Sequence, residues 1–174
     1  EIDKSLADLN GNTSAFRMTE DRAHIEGMSQ EFANTVMYGN EGTAPEEFTG
    51  FAPRFNDNSG PANADNIILG GGSGADNTSI WLLSWGSDTV HGIYPKGSKA
   101  GLQFSDKGQV TLEDASGGSN SGRMEAYRSH YKWDCGLSVR DWRYVVRICN
   151  IDQSALTGDK TGSSADITDL MAQA

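Results

Sequence analysis

Three histidines and two cysteines are the side chains through which this chain could bind a metal or carry out nucleophilic chemistry, so their spacing decides what chemistry is open to it. His24, His91 and His130 lie far apart, none has a second His near it, and the single Cys within five residues of any of them is Cys135 beside His130, one pair where a structural zinc site needs two. Cys135 and Cys149 are likewise far apart, which predicts small buried apolar side chains. The stretch "GIYPKGSK" at 92–99 approaches the phosphate-binding loop G-x-x-x-x-G-K-[ST], but Ser98 precedes Lys99 and a strand-like "AGLQF" follows where that loop requires a helix. "GGGSG" at 70–74 lacks the G-x-G-x-x-G spacing and reads as a turn. There is no G-x-S-x-G nucleophile elbow, and the adjacent Glu46 and Glu47 fall in a polar loop, without the fixed separation of an acid–base pair. The expectation is a protein with no catalytic residues, no cofactor and no metal.

What remains is chemistry of contact. "YKWDCGLSVRDWRYVVRICN" at 131–150 concentrates Trp, Tyr and Arg, the residue types that carry most interface energy because they bury large areas while making directional polar contacts. Arg140, Asp141, Trp142, Arg143, Tyr144 and Arg147 are the candidate interface or packing residues. A half-buried sheet with a solvated charged face reads the same composition equally well.

These residues must be positioned by elements that the hydrophobic pattern predicts. Ile25, Met28, Phe32 and Val36 recur at three- and four-residue spacings, which predicts a helix over about residues 20–37, some 27 Å long, capped by Thr19 and stopped at Gly39. Gly27 sits inside it at a cost of about 1 kcal/mol relative to Ala. Residues 41–65, rich in Pro, Gly and Asn, read as an ordered loop anchored by Phe48, Phe51 and Phe55. An apolar run at 67–69 and strands near 79–85 and 89–94 follow. "GLQFSDKGQVTLEDA" is predicted to be a hairpin turning at "SDKG". Period-two alternation over 127–133 and 142–148 predicts two long strands about a turn near 135–138, with Asp141, Arg143 and Arg147 on one face of the second. "SGGSNSG" at 116–122 has linker composition. A last helix begins near Asp166.

Composition narrows the partners. Twenty-four Asp and Glu against fourteen Lys and Arg give a net charge of −10, which argues against a dedicated nucleic-acid binder held by phosphate contacts. Two cysteines are too few for a disulfide framework. No apolar run reaches the eighteen residues of a membrane span, so no membrane partner is expected. The polar opening without Met and the helical start at the far end read as a chain continued on both sides.

The order of elements, a long amphipathic helix, then "FANTVMYGNEGTAPEEFTGFAPRF", then strands with "WLLSWGSDTVHGIYPKG" and "YKWDCGLSVRDWRYVVRICNID", resembles the major capsid protein of tailed bacteriophages with the Hong Kong 97-type fold, in its short-tailed branch. The match rests on Tyr38, Gly39, Asn40, Gly42 and Thr43 at the helix end, and on Pro45, Glu46, Phe48, Gly50 and Phe51 in the loop, and it covers about residues 14–174. The resemblance implies an α+β fold in which residues 14–65 are the spine helix and loop of the peripheral domain. It makes 66–151 a β-rich part with a flexible 116–122 segment, and 152–174 the helical start of the axial domain. Residues 1–13 are then the remnant of an N-terminal region, and the chain is partial. It further implies a subunit that assembles with itself into hexamers and pentamers of an icosahedral shell around double-stranded DNA. Contact with that DNA is non-specific; scaffold, portal or decoration proteins are further partners, and location is the virion, with the bacterial host cytoplasm during assembly. On this reading Arg140, Asp141, Arg143 and Arg147 make cross-subunit or helix-to-strand ion pairs, and Trp142 and Tyr144 lock a strand against the spine helix. The alternative is a β-rich carbohydrate-binding or adhesin-type module with Trp81, Trp85 and Trp133 as a stacking platform.

Overall fold

The computed structural model describes residues 1–9, 11–113, 122–156 and 167–174. The linker-like 116–122 segment therefore lies outside the described residues except for Gly122, and so does Asp166, the expected start of the last helix. The chain is α+β and divides into two compact units, one of residues 1–34 and 94–135, the other of 35–93 and 136–174.

In the first unit, β1 (Ile2–Asp3) and α1 (Lys4–Leu9) lead into α2 (Ser14–Tyr38), whose last four residues belong to the second unit. The helix begins six residues earlier than the apolar spacing suggests. Its cap is Thr13, whose hydroxyl accepts the Phe16 amide at 3.2 Å; Thr19 instead bonds back to the Ala15 carbonyl inside the helix. Ile25, Met28 and Phe32 are half-buried, as the stripe predicts, and Phe32 stacks on Trp133 with ring centroids 4.4 Å apart.

The unit's sheet has the order β1-β6-β5, all antiparallel, from β5 (Leu102–Glu113) and β6 (Arg123–Trp133). The expected hairpin at "SDKG" is absent: β5 runs straight through it. Pairing with β6 shifts register between Asp106 and Gly108, leaving Lys107 as the extra residue of a bulge. Gly108 adopts φ +71°, and the Asp106 carboxylate accepts its amide at 2.8 Å, so the turn-like residues are used to kink a strand without reversing it.

In the second unit the chain leaving α2 folds back on the helix end. Gly50 donates its amide to the Gly39 carbonyl at 2.8 Å. A Cβ on Gly50 would stand 2.6 Å from the carbonyl oxygens of both Thr35 and Val36. Gly39 is as crowded, with the Phe48 oxygen at 2.5 Å and the Thr35 oxygen at 2.6 Å. Gly39 thus ends the helix because the returning loop touches its backbone. The loop feeds α3 (Phe51–Arg54), which seats Phe51 and Phe55 in a core with Val90, Leu137 and Val145. Phe51 and Phe55 are the anchors expected of that loop, and both are fully buried.

Around this core lie β2 (Ile67–Leu69), β3 (Asn77–Leu83), β4 (Val90–Ile93), β7 (Gly136–Val139) and β8 (Val145–Asp152). Sheet order is β2-β8-β3, with β2 parallel and β3 antiparallel to β8, while β4 and β7 form a separate antiparallel pair. The expected turn near 135–138 is therefore wrong: Gly136–Val139 is a strand, and the two alternating stretches serve different sheets. Trp142–Tyr144 is a 3-10 turn in place of the start of a long strand, because the Asp141 carboxylate captures the Arg143 amide at 3.0 Å and tightens the chain there. A short helix, α4 (Ile167–Gln173), closes the described chain.

Candidate functional site

The six candidate residues separate into an outward and an inward group. Arg143 forks onto Asp141, with Nη2 to Oδ2 at 2.7 Å and Nε to Oδ1 at 2.9 Å, and its side chain is still 71% exposed. That pairing, with the Arg143 amide adding to it, holds the Asp141 carboxyl below the usual carboxylate range, and Asp141 in turn raises the guanidinium. Tyr144 next to it is exposed. Arg140 meets Asp88 at 3.1 Å in an exposed pair that also reaches the Ser87 carbonyl.

Trp142 and Arg147 turn inward. Trp142 packs against the Phe51 core, in company with Val36 and Met37 from the end of α2. Arg147 donates to the Phe55 carbonyl at 2.7 Å and to Ser79 Oγ at 3.4 Å, and lies 5.1 Å over the Trp81 ring. Of the two kinds of ion pair expected of Arg140, Asp141, Arg143 and Arg147, cross-subunit or helix-to-strand, the helix-to-strand kind is not formed within the chain: Arg140 meets Asp88 in the β3–β4 connection, Asp141 and Arg143 pair with each other, and Arg147 meets a carbonyl and an aromatic face. Tyr144 is too exposed to lock anything within the chain, and Trp142 packs on the core from a 3-10 turn, not from a strand.

The helix-to-strand contacts that composition did not single out lie in the first unit. Arg17 on α2 makes a two-pronged bond to Asp106 on β5, at 2.9 and 3.0 Å, and the Tyr131 hydroxyl on β6 donates to the buried Asp21 at 2.9 Å. Burial first, and the Asp21 bond second, raise the Tyr131 phenol. Arg17 and Asp21 share a helix face at i and i+4, but Asp106 sits in what reads as a turn, so its partner could not be found by spacing.

The residues that could have done metal or nucleophilic chemistry are dispersed. His24 on α2 and His130 on β6 are exposed, and His91 is half-buried on β4. Cys149 is buried, whereas Cys135 is half-exposed with a thiol pushed up by burial and then by Asp134. No three of the described His, Cys, Asp or Glu stand close enough to hold a metal ion, and no described helix is long and apolar enough to cross a membrane. Of the three Trp of the stacking platform, Trp81 packs among Phe51, Phe55 and Arg147, and Trp133 is covered on one face by Phe32. Trp85 is largely exposed but meets the edge of Phe51, with ring centroids 6.2 Å apart.

A family model described as Major capsid protein GP7 matches residues 1–174, the whole chain. The chain belongs to that family. No curated protein sequence matches it. Membership makes this a structural subunit of a bacteriophage capsid, a virion component that assembles with copies of itself into the capsid lattice. The family is structural in place of enzymatic, and the carbohydrate-binding alternative is not favoured. On this subunit Arg143 and Tyr144 are exposed, while Trp142 and Arg147 pack beneath them.

Proposed function

We propose that this capsid subunit follows the Hong Kong 97-type plan, with α2 as the spine helix of the peripheral domain. Residues 14–65 are then the spine helix and loop of the peripheral domain, 66–151 the β-rich strands of the peripheral and axial domains, and 152–174 the helical start of the axial domain. Copies form the hexamers and pentamers of a closed icosahedral shell around double-stranded DNA. The observation that carries this reading is the helix end: Gly39 and Gly50, two positions on which the resemblance rests, are both places where a Cβ would strike backbone. The motif therefore records a packing requirement between a long helix and its returning loop, and α2, at 25 residues, spans about 37 Å.

A lattice of this kind does not need strong individual contacts, because closure multiplies weak interfaces through effective concentration. The net charge of −10 suits an inner wall that must not hold DNA tightly, leaving only non-specific contact. Scaffold, portal and decoration proteins are the further partners, and the host cytoplasm is where assembly takes place. Of the six candidates, Arg143 and Tyr144 face the neighbouring copy. Electron microscopy of assembled particles tests the plan through five- and six-fold capsomers. Arg143→Glu tests the assignment: particle yield falls while subunit solubility holds, and equal yields overturn the role given to Arg143.

A further inference from the structure

Two strands of seven residues or more leave an edge unpaired among the described residues, β5 in the first unit and β3 in the second. Folded proteins blunt such edges with charge, proline or bulges, because a bare ladder recruits other chains. β5 is blunted: it carries Asp106, Lys107 and Glu113, and Lys107 sits on its central bulge. β3 has a bulge only at its start, between Thr78 and Ile80, and no charge at all. It lies in an eleven-residue stretch, Asn77 to Ser87, with neither charge nor proline, framed by Asp76 and Asp88. Its core, Ile80 to Trp85, is the kind of apolar β-forming window that is sticky when bare.

The backbone at this edge is correctly aimed. Ser84 donates its amide to Tyr144 across the ladder to the β8 side, and β3 runs antiparallel to β8 with Leu83 opposite Val145 and Trp81 opposite Arg147. Strand alternation then turns the peptide groups of Leu83 and Trp81 away from β8, to the free side. Over the face that β3 shares with the β8 side lies an open groove of about 470 Å³, lined by Leu82, Leu83, Ser84, Arg143, Tyr144 and Val146, which leaves room for side chains reaching over from a strand added at the edge.

We propose that the β3 edge from Ile80 to Ser84 is a subunit contact that takes an extended strand of a second copy of this chain, hydrogen-bonded to Trp81 and Leu83. A second copy is the occupant for reasons of charge. Residues 35–93 and 136–174 hold twelve Asp and Glu against five Lys and Arg, so two acidic copies repel over most of this unit. The uncharged β3 stretch is where they approach without that cost, and Arg143, mostly exposed at the groove, offers the opposite sign to an acidic neighbour. Its own end of the pair with Asp141 stands in solvent, so a carboxylate of a neighbour can reach the guanidinium without displacing Asp141. This contact rests on the self-assembly reading and specifies where one copy meets the next.

The test is hydrogen exchange on the full chain, read amide by amide, in assembled particles and in dissociated subunits, together with Leu82→Lys, which places an edge-blunting charge on β3. At least a tenfold slowing at Trp81 and Leu83 on assembly, exceeding that at Ile80 and Leu82, supports the contact. So does at least a tenfold loss of particles from Leu82→Lys with an unchanged circular-dichroism spectrum. If Leu82→Lys alters that spectrum, the exchange measurement on the unaltered chain decides alone. Particles in which Trp81 and Leu83 exchange as in free subunits, or wild-type particle yield from folded Leu82→Lys, overturn the contact and leave self-assembly intact. A wild-type chain that forms no oligomer at any concentration overturns the self-assembly reading and this contact with it.

Discussion

Gly50→Ala isolates the packing on which the helix end depends. The new methyl would stand 2.6 Å from two carbonyl oxygens, of Thr35 and Val36, and 3.0 Å from the Met37 carbonyl carbon. All are backbone atoms of α2, so none can swing aside as the tip of a flexible side chain would. The loop must retreat, which weakens the 2.8 Å bond from Gly50 to Gly39 and loosens Phe51, the fully buried next residue. Overpacking costs about 1–3 kcal/mol and a lost backbone bond about 1 kcal/mol more, so roughly 3 kcal/mol is expected. At about 2–4 °C per kcal/mol for a chain of this size, Tm falls by about 6–12 °C. Gly27→Ala is the internal control. It lies on the same helix with nothing within 4 Å of a Cβ, so it gains about 0.5–1 kcal/mol of helix propensity and raises Tm slightly. Thermal melts of both variants beside the parent chain, followed by circular dichroism, give the comparison. A Gly50→Ala melt within 1 °C or so of the parent, about the reproducibility of such melts, refutes the close approach.

Asp106 is held below the ordinary carboxylate range by the Arg17 fork first and the Gly108 amide second. Its folded-state pKa is depressed, so its contribution is complete above the unfolded value of about 3.9 and disappears as pH falls through the folded one. Asp106→Asn therefore lowers stability at pH 7, by no more than about 1 kcal/mol for a half-exposed partner, and flattens the stability profile between about pH 5 and pH 2 in urea titrations. An unchanged acid limb contradicts this. Arg147→Met keeps the volume but strips the Phe55 carbonyl of its donor and Trp81 of its cation, costing about 2 kcal/mol in urea melts. Arg147→Lys does not restore it, because an ammonium cannot bridge the carbonyl and Ser79 while lying flat on the indole; full recovery with Lys refutes the role given to the guanidinium plane.

Local chemistry was legible wherever neighbours in sequence are neighbours in space. Helical periodicity marked Ile25, Met28 and Phe32 as the inward stripe, the apolar run at 67–69 is a strand, and Phe51 and Phe55 anchor the loop core. Charge, cysteine count and the spacing of histidines set the expectation of contact in place of catalysis before any fold was known. Turn-rich stretches were ambiguous, because the same residues serve a reversal or a bulge. Asp106–Lys107–Gly108 became a bulge only because β6 pairs on both sides of it and Arg17 reaches Asp106 from 89 positions away. Gly136–Val139 became a strand because β4 lies beside it. Likewise the alternation of Trp142, Tyr144 and Val146 could not reveal that the Asp141 carboxylate winds the first of them into a 3-10 turn. A single chain encodes how each residue prefers to stand. Which edges stay bare, and so which surface is left for a neighbour, is settled only when distant segments compete for the same hydrogen bonds.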